Sequence, residues 1–170
     1  MNLSDMKFPR QLEADGSKEK ILQALVTRKT RLWPDGKMEV PVLTVSEALI
    51  DAIKKARLQR RVRFGFDEIF EKLAAEKKGI DSLLQKTKAD QNERISRLIL
   101  FSSDGAPRLY RHVEQTLTEH RLRILGCRLD IDSKKLGQWI TGRTSGIKVI
   151  LVEHKDAVSD VLRALVSDGD

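Results

Sequence analysis

The sequence predicts a layered α/β sandwich, and two observations carry that reading. Leu98-Ile99-Leu100-Phe101 is an uninterrupted apolar run, as a strand covered on both faces requires, and residues 147–152, apolar but for Lys148, read as another buried strand. From Ser46 to Val166 such runs alternate with segments of helical period, the pattern of helices layered on a sheet. The chain of 170 residues is long enough for one domain with appendages; its 40% hydrophobic residues fill a core and its 34% charged residues solvate the exterior.

Residues 1–20 mix charge with Pro9 and Gly16 and are expected as a mobile tail. Residues 21–26 form a short apolar helix or strand. In Trp33-Pro34-Asp35-Gly36-Lys37 the proline presets φ and the glycine accepts a tight turn, so residues 27–33 and 38–45 are expected to pair as a hairpin. Pro41 places the second strand at an edge. Residues 1–45 are therefore read as a tail and hairpin extension, and residues 46–170 as the α/β domain.

Ser46 suits the N-cap of a helix over 47–57, with Leu49, Ile50 and Ile53 on one face. Residues 60–64 are strand-like, and 66–78 are helical up to Gly79. The polar stretch at about 80–95 is read as an insertion, mobile or a loosely attached helix. Ser102-Ser103-Asp104-Gly105 turns the chain, and Pro107 suits the first turn of a helix over 108–120. A strand over 122–129 leads to a helix capped by Asp132 or Ser133 and running to Ile140. A glycine-bounded basic loop, 142–146, precedes the last strand, and 156–166 closes the domain as an amphipathic helix.

A net charge of +7 favours a polyanionic partner. With 5% aromatic residues, a row of base-stacking platforms is not expected. A single cysteine, Cys127, excludes an internal disulfide and a cysteine-clustered zinc site, and it reads as a small core residue. No apolar stretch approaches the roughly 20 residues that span a bilayer, and the N-terminus has acids instead of an apolar signal core. A cytoplasmic protein with no membrane partner is expected. No P-loop or Gly-x-Gly-x-x-Gly appears, so no cofactor is indicated.

Lys54, Lys55, Arg57, Arg60, Arg61 and Arg63 follow one another with no acid among them, and Gly65 then opens a helix. A glycine there lets an anion approach free backbone N–H groups, which the helix dipole favours. The plainer reading is a solvated face with cations complementing a helix C-terminus. Asp104, Asp130, Asp132 and Glu153 fall near strand ends and would suit a Mg²⁺ site, although helix capping is the commoner use of such aspartates. His112 and His120 have no metal-type neighbours, and His154 is placed to cap a helix. Trp139, beside the glycine loop, is read as packing its helix, with base stacking as the alternative; Trp33 packs a turn.

The element order from Ser46 to Val166 resembles the ribosomal kink-turn-binding superfamily of the L-seven-Ae and L-thirty-e type. Its members carry a basic helix end, a short strand and Gly-x-Asn-Glu, where this chain has Gly65-Phe66-Asp67-Glu68; they also carry Ser-Lys-x-Leu-Gly before a glycine loop, matching Ser133-Lys134-Lys135-Leu136-Gly137 and Gly142. The likeness covers about two thirds of the chain. Bacterial YlxR-type proteins, which join a small N-terminal module to such a domain, are similar in architecture. The resemblance implies a three-layer α-β-α sandwich around a small mixed four-stranded sheet, and non-catalytic RNA binding as a ribonucleoprotein component. It also implies that Gly65 admits the backbone, that Phe66, Asp67, Glu68 and Lys72 lie at the RNA groove, and that the Arg143-Thr144-Ser145 loop covers the site. Asp67 stands where the family holds an amide, and Glu71 where RNA binders commonly hold a lysine. These acids favour a second hypothesis, a protein–protein interaction subunit that kept the fold.

The hypotheses separate in solution. An RNA binder loses affinity steeply with salt and loses it altogether when Arg60 and Arg61 are reversed to Glu. A protein scaffold ignores RNA and co-purifies with a partner, and a Mg²⁺-dependent enzyme becomes inert on Asp130→Ala.

Overall fold

The computed structural model describes residue 3, residues 6–87 and residues 94–167, the side chains of 84–87 excepted. In chain order the elements are α1 (Arg10–Ala14), α2 (Lys18–Val26), β1 (Lys29–Arg31), β2 (Glu39–Leu43), α3 (Glu47–Leu58), β3 (Val62–Arg63) and α4 (Phe66–Thr87). They continue with β4 (Arg97–Phe101), α5 (Pro107–Glu119), β5 (Ile124–Leu129), α6 (Ser133–Thr141), β6 (Val149–Val152) and α7 (Lys155–Ala164). No helix among the described residues is long and apolar enough to cross a membrane.

The strands make one mixed sheet in the order β1-β2-β5-β4-β6-β3. Successive strand residues point to opposite faces, and the two cores follow that alternation. Leu98, Leu100, Ile150 and Val152 join one hydrophobic cluster with α1, α2, α3, α6 and α7. Ile99, Phe101, Val149 and Leu151 join the other with α4 and α5. The result is helices, sheet, helices. Cys127 is fully buried in the first cluster, and burial pushes its thiol pKa up.

Four expectations need correction. The sheet has six strands, not four. The hairpin forms as expected, with Thr30 opposite Val40 and Gly36 N–H donating to Trp33 O at 2.9 Å. It is not appended to the domain, however, because β2 continues parallel to β5 with Val42 opposite Arg128. Pro41 is compatible with that interior place: Val42 donates toward Arg28, so the Pro41 nitrogen faces the β5 side, where pairing starts only at Val42. The described part of the N-terminal tail is packed: Phe8 and Leu12 are buried beside Ile21 and Leu25, and Ile95 N–H donates to Lys7 O at 2.8 Å. Apolar residues scattered among charges had concealed that face. Finally, α4 passes through Gly79 to Thr87, bridged by Lys77–Asp81 at 3.3 Å. A helical glycine costs only about 1 kcal/mol. The rest of the expected insertion, residues 88–93, lies outside the described residues.

Glu76 fastens α4 to the sheet by accepting from Arg97 Nη2 at 3.0 Å and from Arg123. Partial burial works to raise its carboxyl pKa, and the guanidiniums, Arg97 first, more than reverse that and lower it.

The glycines of α6 have different duties. Gly142 ends the helix at φ +73°, a left-handed C-cap. A Cβ on Gly137 would lie 2.1 Å from the Ser145 carbonyl oxygen, so only glycine lets the loop after α6 fold back along it. Gly137→Ala is expected to destabilise the fold by about 1–3 kcal/mol. A thermal melt followed by circular dichroism checks this; an unchanged midpoint would mean that the loop yields without cost.

Candidate nucleic-acid interface

Strand directions sort the candidate residues. β4 runs parallel to β5 and antiparallel to β6, and β6 runs antiparallel to β3. The carboxyl ends of β3, β4 and β5 therefore share one end of the sheet with the start of β6. Open α/β sheets place ligands at such an end. Gly65, Phe66, Asp67 and Glu68 lie there, after β3, as does Lys148, before β6. Arg60 and Arg61 precede β3 and lie at the opposite end, where Glu153 N–H donates to Arg61 O. Four extended residues, about 13 Å, separate Arg61 from Gly65.

The basic run therefore divides. Lys54, Lys55, Arg57 and Arg60 are exposed. Lys55 faces Asp160 at 3.8 Å, and the Arg57 guanidinium sits 5.9 Å from the Phe64 ring. Arg60 occupies the left-handed region at φ 59°, where Gln59 caps α3, Arg60 N–H donates to Arg57 O and Arg61 N–H to Ala56 O. That pattern normally takes glycine, and an arginine there costs about 1 kcal/mol. Arg63, by contrast, is committed internally: its Nε donates to Glu153 Oε2 at 2.7 Å and its Nη1 to Glu68. These bonds, that of Glu153 foremost, raise its pKa despite partial burial. Lys72 Nζ reaches the same Glu153 oxygen at 3.3 Å.

Gly65 is exposed, its φ is outside the left-handed region, and an added Cβ would meet nothing closer than Glu68 at 3.5 Å. Neither backbone nor packing demands glycine there. Beside it, a cleft of about 550 Å³ is lined by Phe64, Phe66, Asp67, Arg108, Gly146 and Lys148. Phe66 is half-buried against Phe70 and His112, with ring centroids 4.8 and 5.2 Å away. The structure thus brings the start of α4 together with the C-terminal end of the glycine loop. Arg143, Thr144 and Ser145 are exposed but do not line the cleft. Arg143 follows the nine residues of α6, about 13 Å of helix from Ser133; Gly146, back at the cleft, sits against Ser133.

Arg108 and Lys148 are exposed and in no ion pair among the described residues, and sequence reasoning missed both. Two signals mark them. From Ser133 to Val152 the chain carries Lys134, Lys135, Arg143 and Lys148 and no acid. Arg108 stands in the first turn of α5, where a cation opposes the helix dipole; that turn holds no acid, and Ala106 offers no side-chain cap. Pro107 opens α5 without an N–H and Leu109 N–H donates to Ala106 O at 2.9 Å, so the Arg108 amide is the donor left in that turn, whereas the first turn of α4 already holds Asp67 and Glu68.

The strand-end carboxylates are engaged. Asp104 accepts from Ser133 N–H and from Ser133 Oγ, both at 2.9 Å, and Asp132 caps α6 from Lys135 N–H at 2.8 Å. Asp130 pairs with Arg28 at 2.8 Å, and Glu153 belongs to the other end of the sheet. Among the described residues no three His, Cys, Asp or Glu are grouped to hold a metal ion. His154 does cap α7, its Nδ1 accepting from Asp156 N–H at 3.1 Å.

No protein-family profile matches the chain, and no curated protein does. Solved structures resemble it. A protein of unknown function from Bacillus halodurans C is 11% identical over 72% of this chain and 100% of its own, with a TM-score of 0.51. The Giardia lamblia 15.5kD RNA binding protein is 12% identical over 72% of this chain and 88% of its own, with a TM-score of 0.46. The first likeness establishes a shared fold.

Gly65→Ala is expected to leave folding stability within about 0.5 kcal/mol of wild type, because the site has room for a methyl group. Denaturant unfolding measures it, and a larger loss would show that Gly65 serves the fold after all.

Proposed function

We propose that the protein binds structured RNA without catalysing a reaction. Phosphates dock at Arg108, Lys148 and the start of α5, and base edges meet Gly65, Phe66, Asp67 and Glu68. What supports this is the convergence on the cleft beside Gly65 of two cations that form no ion pair among the described residues and of a helix start with no side-chain cap. A carboxylate at Asp67 suits acceptance from a base amino group. RNA lying along the β3 edge would also reach Arg60, Arg61 and Lys54, with Arg57 and Lys55 beside them; Arg63 and Lys72 hold the middle of that edge through Glu153. The Arg143-Thr144-Ser145 loop would contribute from further along α6. Arg60 takes the left-handed place in the turn that ends α3, which normally falls to glycine, and a contact to RNA would give an arginine there a use.

A second reading, a protein-binding subunit of the same fold, is favoured by the exposed acids Asp67, Glu68 and Glu71 on the first turns of α4. The two part on one titration. Binding to an RNA hairpin with an internal loop should weaken steeply as salt rises from about 50 to 200 mM. Arg108→Ala and Lys148→Ala should each reduce the slope of log affinity against log salt by roughly 1. No RNA binding at low salt, with a protein retained through purification, would favour the second reading.

A further inference from the structure

We propose that the outer face of α6 is a stacking platform for an unpaired nucleobase, with Trp139 as the platform and Lys134, Lys135 and Arg143 as phosphate contacts; this deepens the RNA reading above and rests on it. Trp139 is 46% exposed, where tryptophan is ordinarily mostly covered. The other tryptophan shows the contrast: Trp33 is half-buried and donates its Nε1–H to Glu114. Nor does α6 need Trp139 for packing, since Leu136, Gly137 and Ile140 already face the core.

The surroundings decide what kind of partner fits. Lys135, one turn before Trp139, and Lys134 and Gln138 are exposed on the same helix, and Arg143 is exposed just past its end; the nearest acids along the chain, Asp132 and the Asp104 bound to Ser133, are at the start of α6, and none occurs between Ser133 and Val152. Among the described residues the other exposed large apolar side chains are Val26, Leu58 and Leu83, none of them on α6. A protein partner seated by hydrophobic contact would call for an apolar patch around the tryptophan. A lone aromatic ring among cations instead matches a base on the ring with its phosphates on the flanking side chains. The platform and the cleft share α6. Gly146 lines the cleft and rests against Ser133, and Ser145 lies against Gly137; Trp139, two positions beyond Gly137, faces away from that side, so a strand leaving the cleft must cross the exposed Lys134–Lys135 side of α6 to reach it.

The test uses the full chain, a hairpin RNA with an internal loop, the same hairpin with an unpaired extension, and a short unpaired RNA alone. The extension should tighten binding and quench tryptophan emission, and the quenching should vanish in Trp139→Ala. That variant should bind the extended RNA roughly 5- to 150-fold more weakly. Trp139→Phe should retain most of the affinity, and both variants should melt as wild type does because the side chain is on the surface. If the plain hairpin fails to bind while the short unpaired RNA still quenches Trp139, the cleft reading falls and the platform stands. A hairpin bound through Arg108 and Lys148, with an extension that neither tightens nor quenches, would overturn the platform. So would a dimer in sedimentation that Trp139→Ala dissociates.

Discussion

Two-sided burial of the central strands organises the whole molecule. Leu98, Ile99, Leu100 and Phe101 alternate between two separate cores, and Val149, Ile150, Leu151 and Val152 do the same beside them. No face of such a strand can be left to water, so helices must cover both sides. Because the helices return the chain outside the sheet, the turns between elements collect at its two ends. The end that receives the carboxyl termini of β3, β4 and β5 holds the cleft, and the opposite end holds Arg60 and Arg61. The surface chemistry is inherited from this layering.

Charge is distributed less by composition than by which carboxylates the fold brings near. Glu153 follows β6 and takes up Arg63 and Lys72, and Glu76 on α4 takes up Arg97 and Arg123. Those cations hold elements together. Arg108, Lys148, Lys134, Lys135 and Arg143 form no ion pair among the described residues; the stretch from Ser133 to Val152 adds no acid of its own, and α5 begins without one. The cations with charge to spare for a polyanion are thus concentrated around the glycine loop and the start of α5. The exposed end of α3 adds a second, smaller group.

Glycines in α6 tie this surface to the fold. Gly137 gives up its side chain so that Ser145 can lie against the helix, and Gly142 turns the chain back toward β6. The return path delivers Gly146 to the start of α6 and Lys148 to the cleft. Gly65, which the same sequence motifs single out, is under neither constraint, which leaves its backbone open to the close approach proposed above.

Much of the fold was legible in short-range chemistry. The apolar runs, the Pro-Asp-Gly turn, the Ser46 and Asp132 caps and the glycine loop each act within a few residues, so the sequence by itself determined a hairpin followed by alternating helices and strands. It also marked Gly65–Glu68 and Ser133–Gly137 as places where helices begin under special conditions. Tertiary structure alone decided that β2 joins β5, that Phe8 and Leu12 enter the core, and that Trp139 stays outside it. It alone decided that Arg63 is occupied while Lys148 is not. The reason is range: backbone preferences are set by neighbours in the chain, whereas pairing, burial and neutralisation of charge depend on groups 80 or 90 residues away, such as Glu153 against Arg63.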